Sequence, residues 1–171
     1  MALHLSVEEL AGMPLFIGVP KEKLAKLLDI ITYESHGSDV KLILDGDFGD
    51  CVFILLDGDI EITKMMTLLP DSPNTNPEKS LIKLNGSYKP FIGELSLFDE
   101  ESKRTATVKT LTPVRVAVIK RNDFLSMAES DYEVGYRIML NISKTLAKRL
   151  GKANVDILKL TTAFSLALTK R

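Results

Sequence analysis

Phe91 to Val108 reads FIGELSLFDEESKRTATV, and the fold and function of the chain both turn on where its charges go. Glu94 stands among the apolar residues Ile92, Leu95 and Leu97, and Arg104 follows ten residues later at the head of a β-branched run. Both charges are placed for partial burial. A carboxylate and a guanidinium drawn out of water cost several kcal/mol each unless something pairs them, about the size of a protein's whole net stability. Three arrangements would satisfy them: an ion pair with each other, a solvated turn, or the two ends of one ligand. In the third, Arg104 takes an anion through its fork of N–H donors and Glu94 accepts from hydroxyls. Gly93 favours that reading, because a residue without Cβ lets backbone approach a ligand, and a turn of helix over Glu94 to Phe98 would aim free N–H groups at an anion. Ser96 and Thr105 add hydroxyls. The stretch therefore suits a compact anion carrying a sugar-like hydroxyl.

Outward from this stretch the chain reads as short strands. Ile31 to Tyr33, Val40 to Leu44, Cys51 to Leu56, Asp59 to Thr63, Leu81 to Leu84, Arg104 to Leu111 and Val114 to Lys120 are apolar or β-branched runs. Gly37, Asp45-Gly46, Asp57-Gly58 and Asn85-Gly86 punctuate them as turns, with Asp57-Gly58 the strongest local hairpin signal. Short strands at this spacing predict a mainly β chain, an antiparallel jelly roll rather than a parallel sheet. Helices flank it. Ser6 with Glu9 forms a capping box for a helix over Ser6 to Gly12. A second begins at Pro20, with Leu24, Leu27, Leu28 and Ile31 on one face. Asn122 or Asp123 caps a short helix carrying Phe124, Leu125 and Met127, and Asp131 opens a long one.

From Tyr132 to Leu168 there is no proline, and Ile138, Ile142, Leu146, Leu150, Ala153, Ile157, Leu160 and Phe164 recur every three or four residues. Unbroken from 131 to 168, this helix would be about 57 Å long, against a radius of gyration near 14 Å for the rest. Its own domain cannot bury it. Either it breaks, at Gly151, or its apolar seam meets a second copy. The chain thus divides into a β-roll with N-terminal helices over 1–130 and a C-terminal helical segment over 131–171. Arg137, Lys144, Lys148, Lys152 and Lys159 form a basic stripe, read as a solvated face.

Composition narrows the classes. The chain has 171 residues, 45% hydrophobic and 26% charged, values of an ordinary globular protein. Its net charge of −1 lacks the basic balance of a nucleic-acid binder. Cys51 to Leu56 is the longest apolar run and far short of a membrane span, and the N-terminus lacks a secretory pattern. One cysteine allows no internal disulfide and fits a reducing compartment, with the cytoplasm as the expected location. Two distant histidines and one cysteine make no metal cluster, so no metal is expected. Nor does the chain offer a nucleophile with its base, or paired carboxylates, so it is not expected to be an enzyme.

Gly93-Glu94-Leu95, Leu97-Phe98 and Arg104-Thr105-Ala106 resemble the phosphate-binding cassette of the cyclic nucleotide-binding domain family, close to the version in bacterial catabolite activator proteins. Met13-Pro14-Leu15-Phe16, Asp45-Gly46-Asp47, Phe53-Ile54 and Asp57-Gly58 are similar to the family's framework, so the likeness spans about Pro14 to Leu150. Three features depart from it. Asp39 stands where the family usually has glycine, which implies a turn built differently, with Gly37. Gly86 to Pro90 adds residues ahead of the cassette. The polar loop DSPNTNPEKS, between Thr63 and Leu81, is read as a hairpin tip.

The resemblance implies a sensor that binds a cyclic nucleotide, cyclic AMP or cyclic GMP, with cyclic AMP favoured. It places Glu94 on the ribose 2′-hydroxyl and Arg104 on the cyclic phosphate, with Gly93, Leu95, Ser96, Thr105 and Ala106 completing the cassette. The adenine-contacting positions fall on Ala153, which has no hydrogen-bonding group, and Asn154, which can read either purine. In the family, cassette contraction is relayed to later helices, and here Leu95 and Leu97 against Phe124 are the relay. The corresponding long helix commonly dimerises, which implies a homodimer, and an unknown effector protein would take the signal in trans. Alternatives are a ligand-free dimerisation or scaffold module of the same fold, or a truncated transcription regulator. The segment after Gly151 is too short for a winged helix-turn-helix, so direct nucleic-acid binding is not expected, nor is membrane association.

Overall fold

A computed structural model describes residues 5–65, 78–98 and 103–169. Among the described residues eight strands form two four-stranded sheets, with every pairing antiparallel. In chain order they are β1 (Ile31–His36), β2 (Lys41–Ile43), β3 (Cys51–Asp57), β4 (Asp59–Met65), β5 (Glu78–Asn85), β6 (Phe91–Ile92), β7 (Thr107–Thr110) and β8 (Val114–Lys120). One sheet runs β1-β8-β3-β6, the other β2-β7-β4-β5. The expected double-sheet β-roll is present, with helices α1 (Val7–Ala11), α2 (Lys21–Leu28), α3 (Arg121–Ser130) and α4 (Tyr132–Thr169) around it.

The strand period explains the layering. Val52, Ile54 and Leu56 of β3, with Ala117 and Ile119 of β8, join the helices in one core; Phe53 and Leu55, with Val114, Val116 and Val118, face the second sheet and meet Ile43, Ile60 and Val108. Successive side chains of a strand point to opposite faces. A strand covered on both sides must be apolar throughout, which is why CVFILL shows no alternation.

Several boundaries differ from the sequence reading for local reasons. Asp57-Gly58 is not a hairpin, because β3 and β4 belong to different sheets. Gly58 adopts φ +82°, and a Cβ there would lie 2.3 Å from the Pro113 carbonyl oxygen, so the turn is packed as well as left-handed. The seventh strand begins at Thr107 rather than Arg104, whose backbone instead closes on the Asp45-Gly46-Asp47 turn (Arg104 N to Asp47 O 2.7 Å, Gly46 N to Arg104 O 2.9 Å). Two-residue β6 was not anticipated. Asp39 itself takes the left-handed turn, at φ +66°, and Gly37 does not, so aspartate does glycine's work in place and pairs with Lys109. The polar loop expected between Thr63 and Leu81 falls largely at 66–77, outside the described residues; β4 runs on to Met65 and β5 starts already at Glu78.

The capping box forms as expected: Glu9 N donates to Ser6 Oγ at 3.2 Å and Ser6 N to Glu9 Oε2 at 2.8 Å. Pro20 is the N-cap of α2, whose Leu24 and Leu27 are buried. Neither Asn122 nor Asp123 caps α3, which starts at Arg121 behind Lys120 without a side-chain cap. Helix α4 passes through Gly151 unbroken for 38 residues. Its first part belongs to the globule: Val134, Ile138 and Ile142 enter the helix-side core, Gly135 packs where a Cβ would sit 2.9 Å from Ala128 Cβ, and Asn141 Nδ2 donates to Leu15 O (3.0 Å) and Ile17 O (2.8 Å). From Ala147 onward every described residue of α4 is exposed. Among the described residues no helix is long and apolar enough to cross a membrane.

Candidate functional site

A cavity of about 110 Å³ opens between the 93–97 turn and the second sheet, with Ile43, Ile62, Ile92 and Val108 as an apolar floor. Its polar wall comes from the cassette. Gly93, Glu94, Leu95, Ser96, Arg104, Thr105 and Ala106 all line it, joined by Lys103 and by Arg149 from α4. Asn154 does not; it lies exposed on α4, more than a turn beyond Arg149.

The 93–97 segment is a 3-10 turn over Glu94–Leu97, started by Gly93 at φ +78°. That glycine is needed twice, for its left-handed backbone and for space, since a Cβ would fall 2.3 Å from Arg104 Nη1. Gly49 makes the same concession on another side: its Cβ would lie 2.2 Å from Arg104 Nε. The guanidinium is thus inserted among backbone groups. Nη1 donates to Gly93 O at 3.1 Å and Ser96 Oγ at 3.2 Å, and Nη2 to Cys51 O at 3.0 Å and Cys51 Sγ at 3.4 Å. Ser96 Oγ gives its own proton to Gly93 O (2.7 Å) or Cys51 O (3.0 Å).

Every one of these acceptors is neutral. Burial pushes the Cys51 thiol up from its ordinary range, with nearby Arg104 opposing the shift only in part, so it remains a thiol at neutral pH and supplies no countercharge. Arg104 takes part in none of the ion pairs found among the described residues. A rigidly held cation with a cage of dipoles and no carboxylate among the described residues has electrostatics that suit an anion.

Glu94 is 4% exposed and pairs with a different cation. Arg149 Nη1 donates to Glu94 Oε1, Arg149 Nη2 donates to Phe91 O at 2.9 Å, and the guanidinium carbon stands 5.8 Å from the Phe91 ring centre. The mutual Glu94–Arg104 ion pair is therefore not the arrangement adopted. Arg149 is the site residue that sequence reasoning missed. It lies in the long helix that the apolar repeat announces, but a partner 55 positions away leaves no periodic or spacing signal. Gly49 was missed too, since only the arginine's position explains it.

The relay residues divide. Leu97 and Phe124 share the helix-side core, whereas Leu95 is 41% exposed. Among the described residues no group of three or more histidine, cysteine, aspartate or glutamate side chains is arranged to hold a metal ion.

The architecture is thus two antiparallel sheets, a glycine-framed arginine held among neutral acceptors, and a long C-terminal helix. The profile of the cyclic nucleotide-binding domain matches residues 38–131, more than half of the sequence, and the chain belongs to that family. It is 32% identical over 120 residues to cGMP-dependent protein kinase, isozyme 1, of Drosophila melanogaster, an alignment covering 70% of this chain and 15% of the kinase. The chain spans 15 to 23% of the length of the curated relatives it matches. Among solved structures, a cyclic nucleotide-binding domain from Methylobacillus flagellatus superposes with TM-score 0.74 at 22% identity, over 89% of this chain and 82% of the other. The regulatory domain of Toxoplasma gondii PKA, solved with cAMP, gives 0.65 at 21%, over 83% of this chain and 48% of the other. These likenesses establish the fold.

Proposed function

We propose that this chain is a cyclic-nucleotide sensor, cyclic AMP being the favoured ligand, in which occupancy of the cavity is transmitted to α4. The observation that carries the proposal is Arg149: a side chain of the long helix holds the buried carboxylate assigned to the ribose. A ribose 2′-hydroxyl that donates to Glu94 shares or displaces that bond, so the bound and free forms differ in what ties α4 to the roll. A ligand shifts an equilibrium only through such a difference. Arg104 takes the single negative charge of the cyclic phosphodiester, helped by Thr105 and the N–H groups after Gly93.

Binding is the chain's own contribution, and no catalysis is assigned to it. Cyclic GMP is the competing ligand, favoured by the Drosophila relative's cGMP dependence and by the threonine after Arg104. Asn154 reaches a base only if α4 moves or a second chain supplies it. The exposed residues Leu150, Ile157, Leu160 and Phe164 continue one seam along α4, and we assign it to a homodimer contact, with an effector protein receiving the signal in trans. A reducing cytoplasmic setting suits the lone thiol.

Calorimetric titration of nucleotide-stripped protein with cyclic AMP and cyclic GMP tests this, with Arg104→Ala as the control. Saturable binding lost in the variant is expected, and the preference names the purine. No heat and no thermal shift with either nucleotide would replace the sensor with the scaffold reading.

A further inference from the structure

We infer that Lys103 is a second, mobile cation for the ligand's phosphate, which leaves the ring of Phe48 when the cavity fills. The inference rests on the cavity being a cyclic-nucleotide site.

Of the three cations that line the cavity, two are committed. Arg149 holds Glu94, and Arg104 is locked among neutral acceptors. Lys103 lines the same cavity beside Arg104, is exposed, and has no ion-pair partner among the described residues. Its ammonium instead stands 5.7 Å from the ring centre of Phe48, which is itself 71% exposed. The main chains of Phe48 and Lys103 form an isolated antiparallel bridge, so the lysine is fixed at its root and free at its tip.

An exposed ammonium over an exposed ring is a weak resting place, because water competes for the charge. A phosphodiester seated on Arg104 would offer a full negative charge on the neighbouring residue's side of the cavity. The ammonium gains more there than over the ring, since charge meets charge rather than a quadrupole. Among the described residues that line the cavity, three cations face the single Glu94 carboxylate, a positive balance that favours anionic ligands and speeds their encounter.

An anchored arginine and a tethered lysine differ in how they respond to salt. Arg104 acts through fixed geometry, while Lys103 acts through an exposed charge and is screened. Titrations of wild type, Lys103→Met and Lys103→Arg with cyclic AMP and cyclic GMP, at about 20 mM and about 500 mM salt, separate the two. Methionine keeps an aliphatic stem against Phe48 and removes only the charge. We expect Lys103→Met to bind roughly five- to tenfold more weakly at low salt and within about twofold of wild type at high salt. Lys103→Arg should restore the wild-type values, and the preference for ribose over 2′-deoxyribose should be unchanged in both. Wild-type affinity and salt dependence in Lys103→Met would overturn the inference while leaving the sensor reading intact. Absence of binding by the wild type would remove both.

Discussion

Glu94→Gln puts the sensor reading under the sharpest test. The substitution keeps shape and one accepting oxygen while removing the charge at a position that is 4% exposed. A hydrogen bond to an ionised group contributes about 1.5–3 kcal/mol and one between neutral groups about 0.5–1.5 kcal/mol, so the ribose contact should weaken by about 1–1.5 kcal/mol, roughly tenfold in Kd. Folding should barely respond. The partner Arg149 side chain is 43% exposed and can return to water, which holds the loss of stability under about 1 kcal/mol. For a chain of this size that is a Tm shift of about 2–4 °C. The assay is calorimetric titration with a cyclic nucleotide and its 2′-deoxy counterpart, with thermal unfolding as the control for fold. Wild type should prefer the ribose form at least about tenfold, because a 2′-deoxy ligand forgoes the hydroxyl-to-carboxylate bond and leaves Glu94 with Arg149 alone. In Glu94→Gln that preference should fall to about threefold or less. A variant that still prefers ribose tenfold would take Glu94 off the 2′-hydroxyl and with it the link from ligand to α4.

Gly49→Ala would set a methyl group 2.2 Å from Arg104 Nε, so the guanidinium must leave its cage; cyclic-nucleotide affinity should fall at least about tenfold with the β-roll intact by circular dichroism. Asp39→Ala keeps φ +66° without aspartate's tolerance for it and should lower stability by about 1 kcal/mol in urea unfolding, whereas Asp39→Gly should equal or exceed wild type. The Lys23 ammonium, hydrogen-bonded to Asp131, holds that carboxyl below its usual range, while Asp131 and then Glu133 raise Lys23. Asp131's contribution is therefore complete above the ordinary aspartate range and lost as pH falls through its lowered folded value. Lys23's is complete below the ordinary lysine range and lost as pH rises through its raised value. A Tm profile against pH should lose both flanks in Lys23→Met, and an unchanged profile would show the tie to be inert.

The fold was legible because its signals are local. CVFILL announced a strand, Ser6 and Glu9 announced their cap, and the proline-free apolar repeat after Tyr132 announced α4. Asp57-Gly58 misled for the same reason, since a turn signal says that the chain reverses and not which sheet receives it. Phe91–Ile92 escaped because two residues give no period. At the site, the cassette could be read as a contiguous string, yet the partners that set its electrostatics could not. Arg149, Gly49 and the Cys51 carbonyl reach Glu94 or Arg104 across 53 to 55 positions, and nothing in a linear pattern encodes such meetings.

The exposed length of α4 also has a mechanical meaning. Helix beyond Leu150 projects about 30 Å from its last packed turn, at 1.5 Å per residue. A tilt of about 10° at that root, of the size a released Arg149 could permit, would carry the far end through about 5 Å. A displacement too small to alter the core becomes, at the tip, as large as a turn of helix, so any partner gripping that end would register an event at Glu94 without ever touching the ligand.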